Sequence, residues 1–540
     1  MPRSCKLISP FFRKSRLSKI IASIAALAIA SPAVAWKPTT HVFIAEMAAL
    51  DALDDGHIDI PDLQTGTVRR YPVSAQTLEA LDKGRRHFRA GVLGPDAYPD
   101  MATGQQYIHP EQTLSLVRRG SSQWIDHIWN SFDGNANERA FRLGFITHVA
   151  GDVYGHSFVN HFSGAPFTFN PADNAIRHVV LEGYIDKRFP SDQFDASVFR
   201  TSIRGLETKI YKTMVDARPG TALDKKLLPA KSPAARLSVP RIFSTMRHEL
   251  DKDIKWYYKR KKKLKKAIDD CDWLDFSCSK TFLGGQLTTH VTIHGLPTTY
   301  KEHWVRDIDS GLKAWPGVSH RVALALFFNP QRKADTDEAD RILTEYVQLH
   351  LLSMAGAPDF VGLSARAIGK LIDAVTPDFL LAPIRRLKEN LLNTILMSAT
   401  GMTKDELKGY LTRPDRYFDT AMQSGKLGEK VTLKRFNTEY LGIRDTAYKN
   451  PSEHFRVEDV PAVYNTLILT KLLMLEPVVV NQVIADLGGK GKVRRDNIML
   501  GWVGTLDGSR QWLDGMVTGD DCSTYIRLFH LLPRDKCGKL

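Results

Sequence analysis

The sequence predicts an all-α protein, a helical bundle that carries a metal site and is followed by a mainly helical accessory region. Apolar residues recur at the period of a helix in many segments, and Pro and Gly residues separate these segments. Residues of the types that bind metals recur four positions apart within two of the segments. The second half of the chain lacks the repeated alternation of strands, so a β-sandwich or β-propeller is not expected there.

The stretch formed by residues 142–156 contains His148, Asp152 and His156 at four-residue spacing. In a helix this spacing places the three side chains on one face, with apolar residues on the other faces. A second pair with the same spacing, His178 and Glu182, follows a short way along the chain. Helical bundles build metal centres from such ligands on facing helices. The two segments therefore predict two helices that share a metal site.

The first 35 residues have the pattern of a secretory signal peptide. Six cations precede an apolar run at residues 20–30, and Ala33-Val34-Ala35 is a small-residue cleavage site. An uncleaved anchor is the alternative, although the run is short for a bilayer span. Cleavage after Ala35 predicts a secreted or periplasmic protein that begins at Trp36. The free amine and carbonyl of Trp36 could chelate a metal near His41, which would open the first helix.

Two further candidate ligands, Asp96 and His109, lie among turn-forming residues. This context predicts a loop, where binding residues are common. An ordinary turn at Pro95-Asp96 is one alternative. His127 is the other, since it could take the place of His109.

The chain from Trp36 to about Asp186 resembles the zinc-dependent phospholipase C family, whose fold and trinuclear zinc centre are shared with the fungal single-strand-specific zinc nucleases. His156 follows Asp152 by four residues, where the secreted phospholipases and nucleases have six. This tighter spacing is similar to the zinc domain of the glycosylphosphatidylinositol-specific phospholipase D group, and it leaves His161 as a substitute ligand. The resemblance rests on Trp36, His41, Asp96, His109, His148, Asp152, His156, His178 and Glu182.

The resemblance implies a centre of two or three zinc ions, for which imidazole and carboxylate ligands are suited. One ion would be held by Asp96, His109, His148 and Asp152. A second would be held by His156, His178 and Glu182, and a third by Trp36, His41 and Asp152, with Asp152 as the bridge. Asp96 and Asp152 are the implied catalytic residues, with Asp96 orienting or deprotonating the attacking water.

The implied reaction is the hydrolysis of phosphodiesters, most simply by a phospholipase C that releases diacylglycerol and a phosphorylated headgroup. A nuclease of the same fold, or a phospholipase D-like enzyme acting on anchored lipids, is an alternative. A secreted membrane-binding protein or toxin with a structural metal is an alternative of another class. The formal charge of +14 loses the six cations of the signal, which leaves +8. This charge favours anionic partners, and we expect phospholipid and a membrane surface rather than a stable nucleic acid partner.

The mature chain is too long for one compact helical core. We predict a zinc-dependent phospholipase C-like catalytic domain at residues 36–300 and a helical accessory domain of unassigned role at residues 301–540. Four cysteines would remain after cleavage, and the oxidising compartment predicts disulfides within two local pairs, with a further metal site as the alternative. The pairs are Cys271 with Cys278 and Cys522 with Cys537.

A long helix is predicted over residues 235–270. It includes a run at residues 255–266 with eight cations in twelve positions. Such runs are usually solvated. The adjacent Trp256, Tyr257 and Tyr258 make contact with an anionic membrane the alternative.

Overall fold

The computed structural model describes residues 38–61, 67–100, 103–104, 108, 120–163, 172–191, 194–228, 238–270, 292–293, 296–327, 432–445 and 452–488. The described residues are mostly helical, which confirms the all-α prediction. The predicted signal peptide, Trp36, His109 and the four remaining cysteines lie outside the described residues.

Two small antiparallel hairpins accompany the helices in the part of the chain that the structure describes. Strand β1 (His57–Pro61) pairs antiparallel with β2 (Val68–Pro72), and β3 (Thr292–Ile293) pairs antiparallel with β4 (Leu296–Pro297). Short 3-10 turns form at Ala196–Phe199 and Val457–Asp459, and π-helical turns form at Tyr211–Val215, Leu223–Leu227 and Phe436–Tyr440. The described helices are α1 (Pro38–Asp55), α2 (Ala75–Lys83), α3 (Arg85–Val92), α4 (Gly94–Ala97), α5 (Gly120–Ser131), α6 (Ala136–Ser163), α7 (Ala172–Arg188), α8 (Glu207–Ile210), α9 (Val239–Asp269), α10 (Thr298–Phe327), α11 (Leu433–Arg435), α12 (Pro461–Leu473) and α13 (Pro477–Gly488).

Helix α6 is the central element, and α2, α3, α7 and α12 all pack against it. Several of its apolar side chains, among them Phe145 and Val149, are fully buried. Helices α3 and α6 approach closely because Gly91 and Gly144 lie where they cross. A Cβ atom on Gly144 would collide with the carbonyl oxygen of Phe88. This close crossing brings the last turn of α3 beside the middle of α6.

Helix α1 is buried around most of its circumference, as expected for a helix that is apolar on nearly all faces. One buried side chain, Glu46, accepts hydrogen bonds from Arg85 and Arg89 of α3, the shortest from each being 2.7 Å. Burial raises the pKa of Glu46, but the hydrogen bonds from Arg89 and Arg85 outweigh it, so the net pKa is lowered. The ionised carboxylate therefore fixes α1 against α3.

Segments beyond residue 300 contribute to the same hydrophobic core as α1 and α6. Helix α12 packs against α1 and α6, and α10 packs against α4 and α9. Ile308 and Leu312 of α10 and Val463 and Leu467 of α12 belong to the cluster that contains Phe145. The predicted boundary at residue 300 stays a prediction, because residues 328–431 lie outside the described part.

The long helix predicted over residues 235–270 is α9, which begins at Val239. Two of the apolar segments with the period of a helix, residues 322–328 and 463–475, coincide largely with the end of α10 and with α12. Among the described helices, none combines the length and the apolar character needed to cross a bilayer.

Candidate metal centre

Two helices carry the candidate ligands that the sequence places four residues apart. The backbone of His148, Asp152 and His156 lies within α6, and that of His178 and Glu182 lies within α7. The side chains of His148, Asp152 and Glu182 are buried. Those of His156, His178 and the substitute ligand His161 lie outside the described side chains. Both segments are therefore helical, as their four-residue spacing predicted.

The carboxylate of Asp152 lies beside the Nε2 atoms of two imidazole rings. One carboxylate oxygen, Oδ1, is 3.3 Å from Nε2 of His41 in α1, and the other, Oδ2, is 3.5 Å from Nε2 of His148. The two rings are stacked, with centroids 3.9 Å apart and an interplanar angle of 13°. All three side chains are at most 2 % exposed. The tertiary structure thus brings a residue at the start of the first helix to the middle of α6.

Asp96 joins this group from a different element. Its Oδ2 lies 3.8 Å from Nε2 of His148, and its side chain is fully buried. The sequence predicted a loop here, whereas the structure forms the single turn α4 with Pro95 near its start. Pro suits the first turn of a helix because its fixed φ is already helical and its missing N–H has no partner there.

The protonation of His148 follows from its second contact. Its Nδ1 lies 2.7 Å from the backbone oxygen of Val92, which can only accept, so Nδ1–H donates this bond. The opposite nitrogen, Nε2, then faces the carboxylates of Asp152 and Asp96. Metal-binding histidines commonly use the second ring nitrogen in this way, which fixes both the tautomer and the ring orientation.

The distances between these atoms fit a zinc site. Two ligand atoms at the usual zinc distances in a tetrahedral site are about 3.4 Å apart. The separations of 3.3 and 3.5 Å across Asp152 are close to this value. They are longer than the roughly 2.7–2.9 Å of a charged hydrogen bond. The ligand atoms of His41, His148 and Asp152 all lie within 4.8 Å of one another, so the three residues could hold one ion.

Helix α10 holds the segment that contains Asp96. Trp315 Nε1 donates to the backbone oxygen of Pro99 at 2.9 Å, and the Ser319 hydroxyl donates to the backbone oxygen of Ala97. The hydroxyl of Tyr98 lies 2.5 Å from Nδ1 of His320. Burial lowers the pKa of His320 to about 4, so this ring is neutral near pH 7. No spacing in the sequence marks these side chains of α10 as neighbours of Asp96.

Helix α12 reaches the other side of the cluster. The methyl group of Thr466 would lie 3.5 Å from a Cβ atom placed on Gly151, next to Asp152. Three polar side chains of this largely apolar helix are buried: Asn465, Thr466 and Thr470. The Asn and Thr residues within this apolar pattern are a sequence signal that could have associated α12 with a site.

The alternative ligand His127 occupies a different place. Its Nε2 is 2.8 Å from the backbone oxygen of Thr213, which requires this nitrogen to donate. Burial lowers the pKa of His127 and favours the neutral ring. His127 is not part of the group formed by His41, His148 and Asp152. The choice of His109 stays a prediction, since that residue is outside the described part.

Residues 40–219 match the model of the family described as zinc dependent phospholipase C. This segment is a zinc-dependent phospholipase C domain. The match confirms the resemblance seen in the sequence, and it contains all four residues of the buried cluster, His41, Asp96, His148 and Asp152. Helices α9, α10 and α12 lie beyond the matched range. No curated protein and no solved structure matches the chain at a significant level.

Membership of this family identifies the domain as a zinc-dependent hydrolase, and the buried cluster is a group of residues that could hold the metal. Two imidazoles and two carboxylates are donors that zinc accepts. A divalent cation would also offset the charge of two carboxylates that have no contact with solvent. The residues present therefore fit the metal that the family requires.

Proposed function

We propose that the protein is an exported zinc metallohydrolase that cleaves phosphodiesters, acting as a phospholipase C on glycerophospholipids. The observation that carries the proposal is the approach of the Asp152 carboxylate to Nε2 of both His41 and His148, in a buried cluster within a zinc-dependent phospholipase C domain. Cleavage before Trp36 and export of the mature chain are part of the proposal. Its partners are then the phospholipid substrate and the membrane surface that contains it.

The chain would hold the metal with His41, His148, Asp152 and Asp96. Asp152 would be the ligand shared between ions, and each of its oxygens lies near Nε2 of a different histidine. The further ligands needed for two or three ions are proposed to be Trp36, His109, His156, His178 and Glu182. When bound, zinc supplies Lewis acidity that polarises the phosphodiester.

Asp96 is the candidate general base. Its carboxylate is buried. The backbone that follows it accepts hydrogen bonds from α10 at Ala97 and Pro99. A fixed carboxylate can orient a water molecule and accept its proton. The water oxygen bonds to phosphorus while the bond from phosphorus to the diacylglycerol oxygen breaks. That oxygen takes up a proton, so the products are diacylglycerol and the phosphorylated headgroup.

The first test compares Asp152→Asn with the unaltered mature protein that begins at Trp36. Phosphocholine release from phosphatidylcholine should fall to background, and bound zinc measured by elemental analysis should decrease, because an amide is a poorer bridge than a carboxylate. Asp82→Asn is the matched control, since Asp82 is exposed on α2. It should retain zinc and activity. Chelation of the unaltered protein should abolish hydrolysis.

The same assay distinguishes the rival functions. Zinc with hydrolysis of single-stranded DNA, but not of phosphatidylcholine, would identify a nuclease. Release from anchored lipids alone would indicate a phospholipase D-like enzyme. Zinc and vesicle binding without hydrolysis of any phosphodiester would indicate a structural metal. An unaltered protein with no bound zinc would contradict the proposal at its base.

A further inference from the structure

Helix α9 has one side covered and one side exposed. Arg247 Nε donates to Asp309 of α10 at 2.6 Å, and Tyr258 donates to Glu302 of α10 at 2.6 Å. These contacts hold one side of α9 against α10 as far as residue 258. Lys255, next to this covered part, is exposed.

The exposed side carries a cationic stripe, which we define as Lys255, Lys259, Lys263 and Lys266. Spacings of four, four and three residues place the four lysines along one face of the helix. All four side chains are exposed. Trp256 borders the stripe and is 44 % exposed. Residues 255–266 include no acidic residue.

This pattern differs from that of an ordinary solvated helix. Solvated faces usually mix both signs of charge, since opposite charges four residues apart stabilise a helix and like charges weaken it. The stripe repeats like charges at that spacing. The guanidinium of Arg260 lies 5.7 Å from the centroid of the Trp256 ring, a contact that involves none of the four lysines. The like charges of the stripe therefore have no explanation in the stability of the helix itself.

We propose that the cationic stripe and Trp256 dock the protein on an anionic phospholipid surface. Lysine ammonium groups near such a surface are attracted by its negative potential, and indole rings favour the boundary between headgroups and acyl chains. Seven of the eight cations in the run are lysines. The paired hydrogen bonds by which proteins recognise individual phosphates and bases favour arginine instead, so a diffuse lipid surface fits better than a nucleic acid.

The residues of the docking surface are separate in sequence from those of the metal cluster. The docking proposal does not rest on the proposed function. The cluster residues lie on α1, α4 and α6, and none lies on α9. The matched family range also ends before α9 begins. Vesicle binding and phosphodiester hydrolysis can therefore fail independently of each other.

The test is sedimentation with vesicles of phosphatidylcholine, alone or mixed with phosphatidylserine. Changing the four lysines of the stripe to Gln should lower the affinity for the mixed vesicles by about 1000-fold. It should also flatten the salt dependence of binding, because fewer charges contribute. Circular dichroism should show unchanged helicity, since Gln removes like-charge contacts without breaking the helix. Trp256→Ser should lower the affinity for the mixed vesicles several-fold.

The matched control changes four exposed lysines on other elements to Gln: Lys212, Lys225, Lys226 and Lys434. It alters the net charge equally and should leave most of the vesicle binding intact. An equal loss of vesicle affinity in the two variants would show that only the net charge matters, and it would overturn the proposal. So would full binding by the stripe variant. If that variant lost binding to single-stranded DNA but not to vesicles, the stripe would be a nucleic acid surface. Vesicle binding by the unaltered protein without phosphodiester hydrolysis would contradict the proposed function and would support the docking proposal.

Discussion

Gly94 and Gly151 determine whether two imidazole rings fit in the buried cluster. Gly94 has a positive φ of 50°, and a Cβ atom there would lie 2.5 Å from Cγ of His148. A Cβ atom on Gly151 would collide with Nδ1 and Cε1 of His41. The candidate ligands of the cluster were recognisable by residue type. The glycines that leave room for them were not, because their role depends on which ring lies opposite.

We expect Gly151→Ala to displace the His41 ring and to lower the affinity for zinc by at least about tenfold. Alanine favours a helix over glycine by about 1 kcal/mol, so a loss of zinc would report the collision rather than a weaker helix. Gly317→Ala in α10 is the control, since its nearest neighbouring atom would be 3.8 Å away. Zinc titration of both variants measures the effect. Equal zinc affinity in the two would contradict the role assigned to Gly151.

The contact between α10 and residues 94–100 shows how one element positions another. Helix α10 does not supply a ligand to the cluster of described residues. It instead binds the backbone on both sides of Tyr98, through Ser319 to Ala97 and through Trp315 to Pro99. His320 adds a link from Tyr98 to Thr201, whose hydroxyl is 3.1 Å from Nε2. Asp96 is therefore held by a helix that lies outside the matched family range.

Removing the hydroxyl in Ser319→Ala should reduce zinc affinity and phosphatidylcholine turnover by about tenfold, as is typical when a second-layer contact to a metal site is lost. The backbone oxygen of Ala97 would lose a buried donor, which frees the Asp96 segment to shift. Competition with a chromophoric chelator gives the affinity. Ser310→Ala, at an exposed position of the same helix, should change neither quantity. A lower unfolding temperature with unchanged zinc affinity would assign Ser319 to stability alone.

The described parts of the chain form one hydrophobic cluster that extends from α1 to α13. Helix α12 contributes Val463, Leu467 and Ile468 to it, and it covers parts of α1 and α6 near Gly151. A catalytic unit that ended at residue 300 would expose these apolar surfaces to water. The chain beyond the matched range thus has a structural role in the core, whatever further role it has.

A chain truncated after residue 300 should lose cooperative thermal unfolding and zinc binding, because it lacks both α10 and α12. The full mature chain under the same conditions is the reference and should show a single transition that zinc shifts upwards. Circular dichroism during heating, with and without added zinc, measures this. A cooperative, zinc-dependent transition in the truncated chain would support the separate catalytic domain that the sequence predicts.

Several properties followed from the sequence because they are local. The spacing of His148 with Asp152, and of His178 with Glu182, reports helical phase directly, since the period of a helix is the same wherever it forms. The long basic helix α9 followed in the same way. The residue types and their order were also sufficient to predict the family, which the matched range confirms.

The tertiary structure alone decided which of these residues meet. Apolar periodicity shows which face of a helix is buried, but the same pattern would suit many partners. It could not reveal that α1 crosses α6 at His41 and Asp152, that α10 holds the Asp96 segment, or that α12 covers the cluster. These contacts depend on how side chains of distant segments pack together, and that is a property of the whole core rather than of any one stretch of sequence.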